Sequence, residues 1–480
     1  MVFSSIVFIF YFLPLFLIAY YVTGARNAVL LTGSAIFYVW GEGLYLFLLL
    51  ALLVFNHRAG IWIGASAGRT RMAVLHGAIV ANIATLGVFK YSQFIVDTVA
   101  SLVSVTAPTL GIHLPLGISF FIFQLVSYLI EVHRRTIEPE RSIVHLSTYV
   151  MMFPHLVAGP IVRYTDIEGE LRNRTVSPGK VGLGIQYFIV GLCQKVLIAN
   201  SVAPVADHLF SLPATQVTTA VAWLGTIGYT LQIYFDFCGY SNMAIGLAFM
   251  LGFRFPKNFD YPYSSTSITE FWRRWHMSLS FWFRDYVYIP LGGSRGSEAA
   301  TVRNLLVVFG VTGLWHGAAW TFILWGMFHG FFVVIERLFL RGWLDAAPVL
   351  LPRIYTLLVV MVGWIFFRAE TFAQAGNVVA ALAGFGVSSA AAGWHPMAIW
   401  MTPETWAAMA SGCVLSFPVL PALLERMRMP RMYGSTDPGM RGRDPGYVHA
   451  LPTLALVFGL VGSLVLLAGS TLNPFLYFRF

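Results

Sequence analysis

The sequence predicts an all-α polytopic membrane protein. Of its 480 residues, 58% are hydrophobic and only 11% are charged, whereas roughly 25% are charged in an ordinary soluble domain. A helix needs about 20 mostly apolar residues to cross the hydrocarbon core of a bilayer. About eleven segments approach this length, near residues 3–22, 28–55, 73–104, 115–131, 181–201, 218–250, 301–316, 318–336, 351–368, 398–420 and 449–470. We therefore expect about eleven transmembrane helices in one membrane-embedded domain, residues 1–480.

The charge distribution predicts how these helices are oriented. The net charge of +9 comes mainly from arginines, which cluster in the stretches 58–71, 134–141 and 426–443. The positive-inside rule places such stretches in the cytoplasm. Because the charges flank apolar segments and form no continuous stripe, a nucleic-acid partner is not expected. The first apolar segment has no basic n-region or small-residue cleavage site, so we interpret it as a retained helix.

Three cysteines are too far apart to indicate a cysteine-based site. Cys193, Cys238 and Cys413 lie singly in or beside apolar segments. Neither a C-x-x-C pair nor the His and Cys spacing of a zinc site is present. We expect no disulfide framework and no bound metal.

The stretch "TEFWRRWHMSLSFWFRDYVYIPLGG", residues 269–293, predicts an amphipathic helix that lies outside the hydrocarbon core. Ser267 and Glu270 have the spacing of a capping box. One predicted face carries Trp272, Trp275, His276, Leu279 and Phe283, and Pro290, Gly292 and Gly293 end the helix. Arg273, Arg274 and Arg284 would each cost about 2.5–3.5 kcal/mol at the bilayer centre. The helix is therefore expected at the interface or along a polar cavity.

A second unusual run, residues 304–340, contains two histidines and no charged residue until Glu336. It is too long for one span and too short for two spans with an ordinary loop. Gly313 and Gly317 have the small-xxx-small spacing of close helix packing, so we expect a helix break there, with His316 beside it near mid-membrane. His329 falls on a different helical face, and a structural role is the favoured interpretation.

Asp236 is the costly carboxylate of the apolar run "LQIYFDFCGYSNMAIGLAFMLG". A carboxylate in such surroundings must be paired, hydrogen-bonded or neutral. We expect a structural role, in which a kink near Gly239 frees backbone amides for Asp236 to accept. Composition and spacing alone suit a transporter and an enzyme equally.

Two blocks of the chain closely resemble the alginate O-acetyltransferase branch of the membrane-bound O-acyltransferase superfamily. They are "LQIYFDFCGYSNMAIGLAFMLGFRFPKNFDYPYSSTSITEFWRRWHMSLSFWFRDYVYIPLGGSR" and "GLWHGAAWTFILWGMFHG". Weaker similarities are "SFFIFQLVSYLIEVHRR", "FPHLVAGPIVRY", "GLCQKVLIAN", "GWIFFRAE" and the terminal "YFRF". The resemblance covers residues 115–480 as a core, whereas the helices of residues 1–110 are similar in hydropathy alone.

The resemblance implies a ring of helices around a funnel or tunnel, with a catalytic histidine at its narrowest point. That histidine matches His316, and a second Asn, Asp or His earlier in the family sequences matches His276, 40 residues before it. His316 would act as general base, and His276 would orient the thioester or stabilise an oxyanion. Donor binding is expected of Arg273, Arg274, Arg284, Lys257, Arg254, Asn258 and Trp315, and a structural or tunnel role of Asp236, Tyr240 and His329.

The implied reaction moves an acyl group, acetyl being favoured, from a cytoplasmic thioester such as acetyl-CoA across a bacterial inner membrane for O-acetylation of a polysaccharide. No bound cofactor is expected, and a periplasmic or membrane-anchored transferase would be the partner. Two alternatives stay open, D-alanyl transfer to teichoic acid from a carrier-protein thioester and a polysaccharide transporter without chemistry. The arginines could equally be cytoplasmic anchors.

Overall fold

The computed structural model describes residues 1–387, 399–429, 431–433, 448–469 and 475–476, and nearly all of these are helical. In chain order the helices are α1 Phe8–Val22, α2 Arg26–Glu42, α3 Tyr45–Ala65, α4 Gly68–Leu102, α5 Ile118–Arg134, α6 Ile143–Met151, α7 Phe153–Leu156, α8 Tyr164–Arg172, α9 Pro178–Ser211, α10 Thr219–Met250, α11 Ile268–Arg274, α12 Met277–Phe283, α13 Glu298–His316, α14 Trp320–Ala346, α15 Leu350–Arg368, α16 Phe372–Phe385, α17 Pro403–Leu415, α18 Val419–Arg426 and α19 Thr453–Gly469. Short strands β1 Arg431–Tyr433 and β2 Val448–His449 pair antiparallel.

The all-α prediction is confirmed for the described chain apart from this pair of strands. The terminal "YFRF" and most of the arginine-rich stretch 426–443 lie outside the described residues.

Among the described residues, five helices are long and apolar enough to cross a membrane, namely α3, α4, α9, α14 and α15. The pair α17 and α18 adds a sixth if its two members, bent by 70°, form one span. Several predicted spans are helices that miss these criteria, because α2 and α5 have only 17 residues each. The multi-pass architecture is confirmed, and the count of about eleven stays a prediction.

The chain divides into two compact units. Unit 1 comprises Met1–Phe188 and Ser241–Pro256, and unit 2 comprises Ile189–Tyr240 and Lys257–Phe480. Both predicted catalytic histidines belong to unit 2.

Polar contacts to buried tyrosines and carboxylates join distant segments of unit 1. The hydroxyl of Tyr20 donates to the carbonyl oxygen of Leu251 at 2.6 Å, and Arg174 donates to the same hydroxyl at 2.7 Å. The buried Glu140 accepts hydrogen bonds from Tyr164 and from Arg172 at 2.5 and 3.2 Å. These contacts satisfy polar groups that would be costly to bury alone.

In unit 2, α13 and α14 pack closely because glycines line their contact. A Cβ atom at Gly313 would clash with the carbonyl oxygen of Phe322, and one at Gly326 with that of Phe309. The predicted break is confirmed, since α13 ends at His316 and the extended residue Gly317 follows it. The break places His316 at the carboxyl end of α13, against the start of α14.

Glycine also brings α9 and α10 together in unit 2. A Cβ atom at Gly239 would lie 2.6 Å from the carbonyl oxygen of Gly191 and 3.0 Å from the backbone nitrogen of Lys195. Lys195 lies in a π-helical segment of α9, Gln194–Asn200, and such bulges are frequent at functional sites. The close approach sets Lys195 opposite Asp236 of α10.

Candidate active site

His276 lies at a break between two short helices, α11 and α12. The prediction of one continuous helix here is wrong, because Trp275 is extended and His276 has the left-handed angles φ 43° and ψ 53°. The break was not predicted because Trp272, Trp275, Leu279 and Phe283 keep helical spacing across it. A non-glycine residue at positive φ is uncommon and is often maintained at functional sites.

The start of α11 follows the sequence prediction closely. The side chain of Ser267 accepts a hydrogen bond from the amide of Glu270 at 3.0 Å. The Glu270 carboxylate accepts from the amide of Thr266, not from that of Ser267, at 2.8 Å. Glu336 of α14 adds a second cap, since it accepts from the amide of Thr269 at 2.9 Å. These contacts position α11, and with it His276, against α14.

The ring of His276 is completely buried and is held at one nitrogen. Nδ1 lies 3.0 Å from Oδ1 of Asn258, and Ser278 donates to the same oxygen. Asn258 was predicted to bind the donor, but its amide oxygen faces His276 and Ser278. Burial lowers the pKa of His276 to about 3, since a low-dielectric environment disfavours the charged imidazolium. The ring is therefore neutral at physiological pH.

His316 is surrounded by aromatic rings at the end of α13. Its ring centroid lies 4.9 Å from that of Trp325 and 5.4 Å from that of Phe367, with both rings packed edge-on. The residue is 4% exposed. An imidazole in such surroundings is shielded from bulk water.

Trp315 connects the two histidines. Its ring centroid lies 6.3 Å from His276 and 4.9 Å from His316. The structure therefore brings together the two residues that the resemblance pairs, although 40 residues separate them. Trp315 was predicted to bind the donor, and it is buried between the histidines.

A small cavity adjoins this cluster. Its volume is about 20 Å³, and its walls include His316, Asp236, Phe237, Trp325 and Phe475. Phe237 also packs edge-on against His276 with the ring centroids 4.7 Å apart, so one aromatic ring separates that histidine from the cavity. A volume of this size holds about one water molecule. Side chains must therefore move before an acyl group can reach His316.

Asp236 has partners that the sequence prediction did not name. Its carboxylate pairs with Lys195 and accepts a hydrogen bond from the amide of Leu476 at 2.7 Å. The backbone amide that Asp236 accepts from is that of Leu476 and not one freed near Gly239, and α10 runs without interruption from Thr219 to Met250. The prediction that the carboxylate must be paired is confirmed. Lys195 could have been found, because a lysine within an apolar run needs a partner as much as an aspartate does.

The two other residues predicted to be structural or to line a tunnel lie near the histidines. Tyr240 stacks on Phe475 with ring centroids 4.7 Å apart. His329 packs against Trp272 and Trp325, and a Cβ atom at Gly363 would lie 2.5 Å from its Nε2. This tight aromatic packing supports the structural interpretation of His329.

The basic residues predicted to hold the donor have different surroundings. Arg274 pairs with Glu270 at 2.8 Å, Arg284 with Asp285 at 2.6 Å, and Lys257 with Asp260 at 2.7 Å. Arg254 belongs to unit 1 and lies 3.9 Å from Glu170. Arg273 is exposed, and its guanidinium has no ion pair or hydrogen bond with any described residue. Arg273 is therefore the arginine of α11 that is available to a phosphate.

Comparison with known proteins identifies the group to which this arrangement belongs. The profile of the membrane-bound O-acyltransferase family matches residues 10–373. The match begins at residue 10, so the N-terminal helices belong to the family region, although their residues indicated only a similarity in hydropathy.

Several characterised or named proteins are similar to the chain. It is 48% identical to the probable alginate O-acetylase of Azotobacter vinelandii over 80% of this chain and 79% of that protein. It is 34% identical to the peptidoglycan O-acetyltransferase of Helicobacter pylori over 81% of each. A teichoic acid D-alanyltransferase of Bacillus subtilis is 29% identical over 47% of this chain and 59% of that protein. The chain therefore belongs to the membrane-bound O-acyltransferase family and is an acyl-transferring enzyme of the membrane.

Proposed function

We propose that the protein transfers an acetyl group from acetyl-CoA on the cytoplasmic side of the membrane towards hydroxyl groups of an extracytoplasmic polysaccharide. Family membership supports acyl transfer. The names of the similar proteins, alginate O-acetylase and peptidoglycan O-acetyltransferase, support acetyl as the group and a polysaccharide as the acceptor class. The alternative of a transporter without chemistry does not fit this family.

The observation that carries the proposal is the packing of both histidines against Trp315 beside one cavity. His316 lines that cavity, and Phe237 separates His276 from it by one ring. A neutral imidazole beside a reacting group can accept a proton, and general base catalysis of this kind contributes typically 10²–10⁴-fold. The surrounding aromatic rings exclude bulk water, which protects a thioester from hydrolysis.

In the proposed step, His316 accepts the proton of the acceptor hydroxyl that attacks the thioester. The hydroxyl oxygen forms a bond to the thioester carbonyl carbon while its proton moves to the imidazole of His316. The carbon–sulfur bond then breaks, and the CoA thiolate receives the proton from His316. His276 serves as the second histidine that orients the thioester.

The wider arrangement follows from the same proposal. About eleven helices would surround a funnel in a single membrane-embedded domain of a bacterial inner membrane, with the arginine-rich stretches in the cytoplasm. The acyl group would pass to a separate periplasmic or membrane-anchored transferase.

Reconstitution in liposomes tests the function. Radiolabelled acetyl-CoA is supplied on one side, and alginate or peptidoglycan oligosaccharides with candidate partner transferases are supplied on the other. We expect protein-dependent CoA release and appearance of label on the acceptor side, with no such activity in empty liposomes. Transfer from a D-alanyl carrier protein, with acetyl-CoA unused, would favour the teichoic acid alternative. Consumption of neither thioester would contradict the proposal.

Arg273 is expected to bind phosphate groups of the CoA donor. A hydrogen bond to a charged group contributes about 1.5–3 kcal/mol, so Arg273→Ala should raise the KM for acetyl-CoA about tenfold or more. Acetyl-pantetheine, which lacks the nucleotide phosphates, should show an unchanged KM.

The matched control for this prediction is Arg284→Ala. The guanidinium of Arg284 is already paired with Asp285, so its removal should change the KM for acetyl-CoA by less. In Arg273→Ala, an equal rise in the KM for acetyl-CoA and for acetyl-pantetheine, or no rise in either KM, would favour the alternative that these arginines only anchor the protein on its cytoplasmic side.

A further inference from the structure

The hydrogen bond between His276 and Asn258 leaves the second ring nitrogen of the histidine available. Nδ1 of His276 lies 3.0 Å from Oδ1 of Asn258. Nε2 is buried and has no hydrogen-bond partner in the part of the chain that the structure describes. A buried polar atom of this kind calls for an explanation, and an incoming substrate group is one.

A backbone amide establishes which atom of Asn258 faces the histidine. The amide of Ser278 donates to Oδ1 of Asn258 at 3.3 Å, and the Ser278 hydroxyl donates to it at 2.9 Å. A backbone N–H can only donate, so the atom it meets must be the carbonyl oxygen and not the NH₂ group. Nδ1 of His276 must therefore carry the proton, and Nε2 of the neutral ring holds a lone pair.

The main chain on both sides of His276 keeps this geometry in place. The carbonyl oxygen of Asn258 accepts from the amide of Met277 at 2.9 Å, and the amide of Asp260 donates to the carbonyl oxygen of Arg274 at 2.9 Å. The segment 258–260 is thus bonded to the residues before and after the histidine. These bonds hold His276 in its left-handed conformation, which is unfavourable for a non-glycine residue unless the surrounding structure supports it.

We propose that Asn258 is a positioning residue that keeps His276 in the Nδ1–H form, so that Nε2 accepts a hydrogen bond from the amide N–H of the thioester's pantetheine arm. This deepens the proposed function and rests on it. Stabilising an oxyanion would need an N–H group at Nε2, and the Nδ1–H form has none there. We therefore assign His276 the orientation of the acyl thioester and not the stabilisation of an oxyanion. The acceptor hydroxyl gives its proton to His316 in the proposed step. With that hydroxyl assigned to His316, the N–H donor nearest the reacting carbonyl is the amide of the pantetheine arm closest to the sulfur.

Two small thioesters that differ by one atom test the proposal. S-acetyl-N-acetylcysteamine carries the amide N–H, and its ester analogue has oxygen in place of that nitrogen. With the wild-type protein in liposomes we expect kcat/KM, followed as acceptor-dependent thiol release, to favour the amide about three- to tenfold, the effect of one neutral hydrogen bond. The preference should fall to about one in His276→Asn, which removes Nε2 and tolerates the left-handed backbone.

Variants of Asn258 separate positioning from a merely structural role. Asn258→Leu should lose the preference for the amide thioester. Asn258→Asp keeps an oxygen acceptor for the Nδ1–H group of His276, so it should retain the preference at alkaline pH. Asn304→Leu is the matched control. Asn304 is also a buried asparagine of unit 2, but it donates to the carbonyl oxygen of Gly293 at 3.0 Å, so its loss should leave the preference unchanged.

A spectroscopic measurement decides the protonation form independently of turnover. Nitrogen NMR of protein labelled at its histidine rings, assigned by difference with His276→Asn, should show the proton of His276 on Nδ1. A proton on Nε2, or equal use of amide and ester by the wild-type protein, would overturn the inference. Absence of any acetyl transfer, with the proton still on Nδ1, would instead overturn the proposed function and the substrate role while retaining the positioning by Asn258.

Discussion

Replacement of His316 by alanine is expected to lower acyl transfer by about 10²–10⁴-fold, the contribution typical of a general base, and to leave the protein folded in the membrane. His316 lines the cavity, and in the proposed step it takes the proton of the attacking hydroxyl. Its removal leaves that hydroxyl without a proton acceptor. Turnover per folded molecule, measured with labelled acetyl-CoA on protein that elutes as a single species in detergent, is the relevant quantity.

His329→Ala is the matched control for this variant. His329 is an equally buried histidine of the adjoining helix α14 and packs against Trp272, Trp325 and Gly363. Its truncation should lower thermal stability because it leaves a cavity, while the remaining folded protein turns over at a rate close to that of the wild type. If His316→Ala kept about a tenth of wild-type turnover or more, general base catalysis at this residue would be excluded.

Replacement of Asp236 by alanine is expected to destabilise unit 2 by about 3–5 kcal/mol, the cost typical of removing one partner from a buried ion pair. Asp236 and Lys195 are 2% and 3% exposed, so the buried charge of Lys195 would lose the carboxylate with which it pairs. The amide of Leu476 would also lose its acceptor. Thermal unfolding in detergent should show a lower midpoint, and limited proteolysis should cut near residues 475–476 more rapidly.

A double replacement distinguishes the ion pair from simple packing. Lys195→Met combined with Asp236→Leu removes both charges, and such exchanges are often neutral or stabilising. We expect the double variant to recover much of the stability that Asp236→Ala loses, and to remain sensitive to proteolysis near Leu476. Equal stability of Asp236→Ala and the wild type would show that the pair does not hold unit 2 together.

The features that the sequence predicted correctly have strong local or compositional signals. The membrane character follows from the apolar content, the cap of α11 from Ser267, and the break after His316 from Gly313 and Gly317. The resemblance paired His276 with His316, and the structure places Trp315 between them. Each of these predictions needed only neighbouring residues or a known motif.

The features that were missed depend on contacts between distant parts of the chain. Periodicity could not reveal the break at Trp275 and His276, since aromatic residues on both sides keep helical spacing and no glycine or proline interrupts them. The bond from Nδ1 of His276 to Asn258 joins residues 18 apart. The partners of Asp236 are 41 and 240 residues away. Such pairings are decided by tertiary packing, which overrides local preference.

The left-handed backbone at position 276 restricts which amino acids can stand there. Asparagine, aspartate and histidine are several-fold enriched among non-glycine residues in this conformation, and the resemblance leads us to expect the same three types at this place in the family. Main-chain geometry therefore restricts the amino acids that can occupy position 276, independently of the reaction that the side chain takes part in. Residues branched at Cβ, such as valine or threonine, should be excluded whatever their polarity. A search for functional replacements at this position can begin with asparagine and aspartate, two candidates instead of nineteen.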